Sequence, residues 1–280
     1  MYEDILELVT VAARKRNLKE STIHSYRQSL KHFFNSADKS WQELTISDAD
    51  EFLTCKRLGG IMPETYNHYY AALRFMYKRV LKLNWDEDEI PRMRRDRSLP
   101  TVLDKEEIEA ILEATSNLKY KAIFAVIYSG GLRVSETTHL HYGDISRKKH
   151  SIHIHNAKNR MDRYTLLADR TLDILTEYWF WNGKPKEILF PSKATGGYLD
   201  SSAVNQVLRR SAKKAGITKH VTSHAFRHSF ASHLLEAGCD IKYIQVLLGH
   251  LDPKSTEIYL HVSNKTLLGI KSPFDMQEDL

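Results

Sequence analysis

Residues 223–238 read SHAFRHSFASHLLEAG. Phe226, Phe230, Leu234 and Ala237 recur at helical spacing, and Gly238 stands where a helix C-cap belongs. The stretch predicts a helix starting near Ser223, on which His224 and Arg227 are three apart and share a face. One helix then offers an imidazole and a guanidinium side by side from an apolar base. A surface His beside a surface Arg is common, so the pair alone carries little. Three further segments raise its weight. Residues 129–136, SGGLRVSE, put Arg133 just past a glycine turn, near a helix start. Residues 244–250, IQVLLGH, put His250 just past a helix end at Gly249. Residues 255–263, STEIYLHVS, put Tyr259 on a short helix close behind. Each is weak by itself: an isolated Arg is usually solvated, and a Tyr between Ile and Leu is usually half-buried core.

Upstream of this region the pattern is also mostly helical. Asp104 can cap a helix with Glu107 as its capping-box partner, and Ile108, Ile111 and Leu112 form its buried stripe. A second helix is expected from about Tyr120 to Ser129, ending at Gly130-Gly131. Ser151-Ile152-His153-Ile154-His155 alternates strictly and Arg163 to Leu167 follows, which predicts a hairpin with its loop at Asn156 to Asp162. From Asp169 onward the chain is again helical, with a loop at Pro191 to Asp200. The first ninety residues read as four or five helices. Ile5, Leu8, Val9 and Ala12 mark one; Ile23, Tyr26, Leu30 and Phe33 another. A third is expected to start at Ser47, and a long one to run from Glu64 to Leu83. Between the two regions, residues 91–100 carry two prolines and Arg92, Arg94, Arg95 and Arg97. They read as a solvated linker or as a segment lying along a polyanion. The division is therefore residues 1–90 as a helical bundle, 91–100 as a basic linker, and 101–280 as a mixed α+β domain with a small antiparallel sheet.

The 280 residues contain 12 Gly, 7 Pro and 2 Cys, which excludes collagen-like and disulfide-stapled classes. No run of 18 apolar residues occurs, so no membrane span is expected. The first residues place acids before the apolar stretch and bases after it, the wrong order for a signal peptide. A reducing cytoplasm is expected, with Cys55 and Cys239 as thiols. With 41 Lys+Arg against 35 Asp+Glu, the net charge of +6 is compatible with a nucleic-acid partner but does not demonstrate one. His139, His141, His150, His153 and His155 lie close in sequence, but no Cys or carboxylate completes a zinc set around them. His153 and His155 are expected on the exposed face of the hairpin, with no metal.

Taken together and in order, Arg133, His224-x-x-Arg227, Gly249-His250 and Tyr259 resemble the tyrosine recombinase, or phage integrase, family. The matching stretches span most of residues 128 to 263. The resemblance implies a mainly α protein: an N-terminal SAM-like core-binding domain and a catalytic domain with a C-terminal tail. It implies that Arg133 and Arg227 bind the non-bridging oxygens of a DNA phosphodiester. Tyr259 attacks phosphorus to form a 3′-phosphotyrosyl bond, His224 assists the proton transfers and His250 supports the phosphate oxygens. The family's hairpin lysine, which protonates the leaving 5′-oxygen, matches Lys158, although Ala157 and Asn159 replace the usual glycines. Glu136 matches the family's acidic residue after the first arginine and is expected to support it. The resemblance further implies double-stranded DNA carrying an inverted-repeat site, a homotetramer on that DNA, a Holliday-junction intermediate, no cofactor, and a place on the nucleoid. Arg92, Arg94, Arg95 and Arg97 would lie near the DNA backbone. A type IB topoisomerase shares these residue types and is the rival reading.

Overall fold

The computed structural model describes residues 2–37, 39–94, 99–155, 162–184, 186–249 and 256. Lys158, His250, Tyr259, Arg95, Arg97 and the tail that follows Tyr259 lie outside the described residues. The chain divides into two compact units, Met1–Arg97 and Ser98–Leu280.

The first unit is built from α1 (Glu3–Arg14), α2 (Glu20–Phe34), α3 (Ile46–Leu58) and α4 (Pro63–Phe75). Its core joins Ile5 and Val9 of α1, Leu30 and Phe33 of α2, Leu53 of α3, and Tyr70 and Leu73 of α4. α3 starts one residue earlier than the sequence predicts. Thr45 is the cap because the Asp48 carboxylate accepts hydrogen bonds from its backbone N and its Oγ1, both at 2.8 Å. α4 begins with Pro at its first position, where the missing N–H costs nothing. The expected single helix to Leu83 instead changes register into a π-helix over Met76–Leu81 and ends at Lys82 with φ +60°. The widened turn seats Tyr77 fully in the core against Trp85, whose Nε1 donates to Tyr70 Oη at 3.2 Å. Part of the expected linker belongs to this unit. Tyr66 Oη donates to Pro91 O, Asn67 Nδ2 donates to Met93 O, and the Arg92 guanidinium lies over the Tyr70 ring.

The second unit is arranged around α6 (Leu118–Gly130), whose Ala122, Ile123, Phe124, Val126 and Ile127 are all fully buried. A helix apolar on every side needs partners on every side. They are α5 (Lys105–Ala114), α8 (Asp169–Trp181), α9 (Ser201–Lys214) and α10 (Ser223–Glu236). The expected capping box of α5 is present, with Glu107 Oε2 accepting from Asp104 N at 2.8 Å. α10 is capped by Thr222, whose Oγ1 accepts from Ala225 N. Phe226 and Phe230 of its predicted stripe are buried, but Ala237 is exposed beyond its end. Short α7 (Val134–Thr138) and α11 (Ile241–Leu248) are the other named α-helices of this unit.

The hairpin forms as β2 (Ser151–Ile154) and β3 (Arg163–Leu166), antiparallel, with Ile154 opposite Arg163. A two-residue strand, β1 (Ile145–Ser146), adds to its other edge with Ile145 opposite Ile152. Ile152 and Ile154 turn into the core. Thr165 Oγ1 donates to Gly130 O at 2.6 Å, so β3 is tied to the end of α6, and α11 also packs against β3. No described helix is long and apolar enough to cross a membrane.

Candidate active site

The end of α6 sets the geometry. Gly131 adopts φ +61°, and a Cβ there would fall 2.4 Å from the Phe230 ring. Only glycine fits both constraints. The turn lets α10 approach closely and delivers Arg133 to the start of α7. Glu136 is the third residue of α7, so its carboxylate can reach back: Oε2 accepts from Arg133 N at 2.8 Å and Oε1 pairs with Arg133 Nη1 at 2.7 Å.

Two more guanidinium groups converge on the same carboxylate. Arg163, first in β3, forks onto it with Nη1–Oε1 at 2.9 Å and Nη2–Oε2 at 2.8 Å. Arg227, 4% exposed on α10, places Nη1 3.7 Å from Oε2. Burial alone would raise the Glu136 carboxyl. The hydrogen bonds and charge of Arg163, and then of Arg133, outweigh it and hold the group at about 2. It is therefore ionised throughout the neutral range.

Backbone carbonyls fix the arginines from their other sides. Arg227 donates through Nη1 to Gly131 O and through Nη2 to Leu248 O at 2.7 Å. Arg163 Nε donates to Leu247 O at 3.0 Å. These carbonyls sit at the C-terminal ends of α6 and α11, where the helix dipole favours a cation. Gly249, with φ +64°, ends α11, and a Cβ there would meet Arg163 Cδ at 2.9 Å. Arg163 can pass beneath the turn only because of that glycine.

Of the residues singled out from the sequence, the structure brings Arg133, Glu136 and Arg227 into one cluster. His224 lies one turn before Arg227 and is exposed. Its neighbour His228 is half-buried, and burial, then the charges of His224 and Arg227, lower its pKa to about 4. At neutral pH His228 carries no charge. Gly249 ends α11 immediately before His250, and Thr256, three residues before Tyr259, is helical and fully buried. Arg92 and Arg94 are exposed in the first unit. Arg163 is the residue sequence reasoning missed. It reads as an ordinary strand position, and only the tertiary structure shows it under Glu136.

Three guanidinium groups face one carboxylate, leaving a formal excess of two positive charges in a partly buried site. Arg133, with its side chain 20% exposed, is the most open of the three. Such a site is built for an anion with several oxygens. Comparison with known proteins identifies the family. Residues 101–266 match the model of the phage integrase family, and residues 5–87 match that of the phage integrase N-terminal SAM-like domain.

The chain belongs to the phage integrase family.

Its relatives include the putative integrase/recombinase y4qK of Sinorhizobium fredii. That protein is 35% identical over 217 residues, which are 77% of this chain and 70% of the relative. Tyrosine recombinase XerA of Pyrococcus horikoshii is 30% identical, covering 94% of this chain and 91% of its own. Among solved structures, XerA recombinase superposes with a TM-score of 0.57 at 26% identity, covering 96% of both chains. A lambda integrase (75-356) dimer bound to a COC′ core site gives a TM-score of 0.74 at 16% identity, over 96% of this chain and 98% of that one, a likeness of fold.

Proposed function

We propose that this tyrosine recombinase cuts and rejoins two DNA duplexes at specific sites, and that Arg133, Arg227 and Tyr259 carry the chemistry. The observation behind this reading is the arginine cluster around Glu136. A phosphodiester brings a full negative charge, which grows on its non-bridging oxygens in the transition state. Arg133 and Arg227, held by Glu136 and by helix-end carbonyls, are oriented before the phosphate arrives, so little reorganisation is needed as charge develops. Arg163 acts as a positioning residue, since both of its Nη groups are engaged with Glu136.

In this mechanism the Tyr259 oxygen attacks phosphorus, the P–O5′ bond breaks, and a 3′-phosphotyrosyl bond forms. His224 assists removal of the tyrosine proton. Lys158 delivers a proton to the leaving 5′-oxygen, and His250 supports the phosphate oxygens. A free 5′-hydroxyl on the partner strand reverses the steps. The phosphodiester energy is kept in the covalent bond, so joining needs no ATP. Two rounds of exchange pass through a Holliday junction. A type IB topoisomerase would use the same residues to relax one duplex; the near full-length similarity to XerA and XerD proteins favours recombination.

The finer proposals concern partners and domains. The N-terminal unit serves as a core-binding domain on an inverted-repeat site, with Arg92, Arg94, Arg95 and Arg97 near the backbone. Four copies assemble on two sites. The apolar tail residues Leu267, Leu268 and Ile270 need a surface to bury against. The catalytic unit offers a cavity of about 620 Å³ lined in part by Ile108, Leu112, Phe230 and Leu234, which suits such a segment from a neighbouring copy. The protein then works in the cytoplasm, on the nucleoid.

Tyr259→Phe tests the central claim. The variant should fold and bind DNA but form no covalent adduct on a denaturing gel, and exchange no strands between two labelled duplexes. An adduct formed by this variant would remove Tyr259 from the mechanism.

A further inference from the structure

The sheet beside the site gathers ligands that the sequence keeps apart. Side chains alternate along a strand, and directly opposed residues of an antiparallel pair point the same way. His153 and His155 are two apart on and just after β2. Continuing the β1–β2 register by one residue sets Asp144 opposite His153. Continuing the β2–β3 register by one sets Asp162 opposite His155. All four side chains therefore rise from one face, opposite to Ile152 and Ile154. The carboxylates that the sequence does not place beside these histidines come from the residues just before β1 and just before β3.

The distances assign the roles. One donor atom from each of Asp144, His153 and His155 lies within 4.8 Å of the others. His153 Nε2 stands 3.3 Å from Asp162 Oδ2, and His155 Nδ1 stands 3.5 Å from the same oxygen. Neighbouring ligands of a tetrahedral ion with bonds of about 2.0–2.1 Å are separated by about 3.3–3.4 Å. His155 Nε2, by contrast, is 2.8 Å from Asp144 Oδ1, a hydrogen-bond distance. Asp144 is itself fixed, since its Oδ2 accepts from His141 N at 2.7 Å, and it is buried. A carboxylate on one imidazole nitrogen holds the proton there and turns the other nitrogen's lone pair outward, the usual support of a metal-bound histidine. His153 is braced by a parallel stack on Tyr164, with ring centroids 4.5 Å apart.

We propose that His153, His155 and Asp162 form a binding site for a divalent transition-metal ion of the zinc type, with Asp144 positioning His155. Two imidazoles and one carboxylate suit Zn²⁺ in charge and ligand type. The ion would clamp the end of β2 to the start of β3.

Zn²⁺ titration of the chelator-stripped full-length protein against a chromophoric competitor tests the site, in a Cys55→Ser/Cys239→Ser background that removes thiolate ligands. One equivalent should bind. His153→Gln/His155→Gln should weaken binding at least 100-fold, and Asp144→Asn by about 10- to 100-fold, the usual effect of losing an outer partner. Circular dichroism without metal should show the variants folded. Co²⁺ added to the parent protein gives a second reading that needs no variant: visible bands of four-coordinate cobalt are expected. Absence of those bands, or equal Zn²⁺ affinity in parent and double variant, would overturn the proposal.

Discussion

Replacing Glu136 by Gln should cost the catalytic unit about 3 kcal/mol at pH 7, and the cost should shrink in acid. The carboxyl, ordinarily near 4.5, is held at about 2 in the folded state. Each pH unit of such a displacement corresponds to about 1.4 kcal/mol, which gives about 3 kcal/mol. Loss of one partner from a buried ion pair independently suggests about 3–5 kcal/mol. Because the folded value is the lower one, the stabilisation is complete above the unfolded value near 4.5 and disappears as pH falls toward 2. The gap between wild type and Glu136→Gln should therefore narrow to about 2 kcal/mol at pH 3.5. Urea unfolding followed by tryptophan fluorescence can read it, since Trp179 stacks on Tyr142 within this unit. At 2–4 °C per kcal/mol the melting temperature should drop by about 6–12 °C at pH 7. Equal stability at pH 7, or a gap unchanged at pH 3.5, would refute the claim that the arginines hold this carboxylate ionised.

Gly131→Ala should cost about 2–4 kcal/mol, from a left-handed backbone and the clash with Phe230. Gly196→Ala, also at positive φ but with open space around it, should cost only about 1 kcal/mol; similar melting temperatures for the two would mean that α10 yields at Gly131. Lys158→Ala should slow cleavage by about 10²–10⁴-fold, and a 5′-bridging sulfur, a better leaving group, should restore it. Without that rescue, Lys158 positions the phosphate instead. Arg94→Ala/Arg95→Ala should reduce the slope of log affinity against log salt by about two. An unchanged slope returns the segment to a solvated linker.

Features made by neighbours in the chain are legible in the sequence alone. The Asp104–Glu107 capping box, the start of α10 and the β2–β3 hairpin each depend on residues within a few positions, and each forms where expected. Features made by distant partners are not legible in this way. Two-residue β1 has no periodicity to read. The π-helix at Met76–Leu81 follows from how Tyr77 meets Trp85. Arg163 looks like any strand residue because its partners, Glu136 and Leu247, lie 27 and 84 positions away. Asp144 and Asp162 escape notice beside the histidines for a related reason: only the pairing of strands brings them to the same face. Arg133, Arg227 and Tyr259 stand out through family resemblance, not through any local rule.

The carbonyls that grip Arg227 also set a timetable. Its two backbone partners are 96 residues before it and 21 after it in the chain. Contacts of such long sequence separation are expensive in loop entropy and close late. A nascent chain that has exposed Arg133 and the hairpin still lacks the Leu248 carbonyl, so its guanidinium groups are not yet aimed. The cluster around Glu136 therefore takes its final form only once the chain through Leu248 is free to fold.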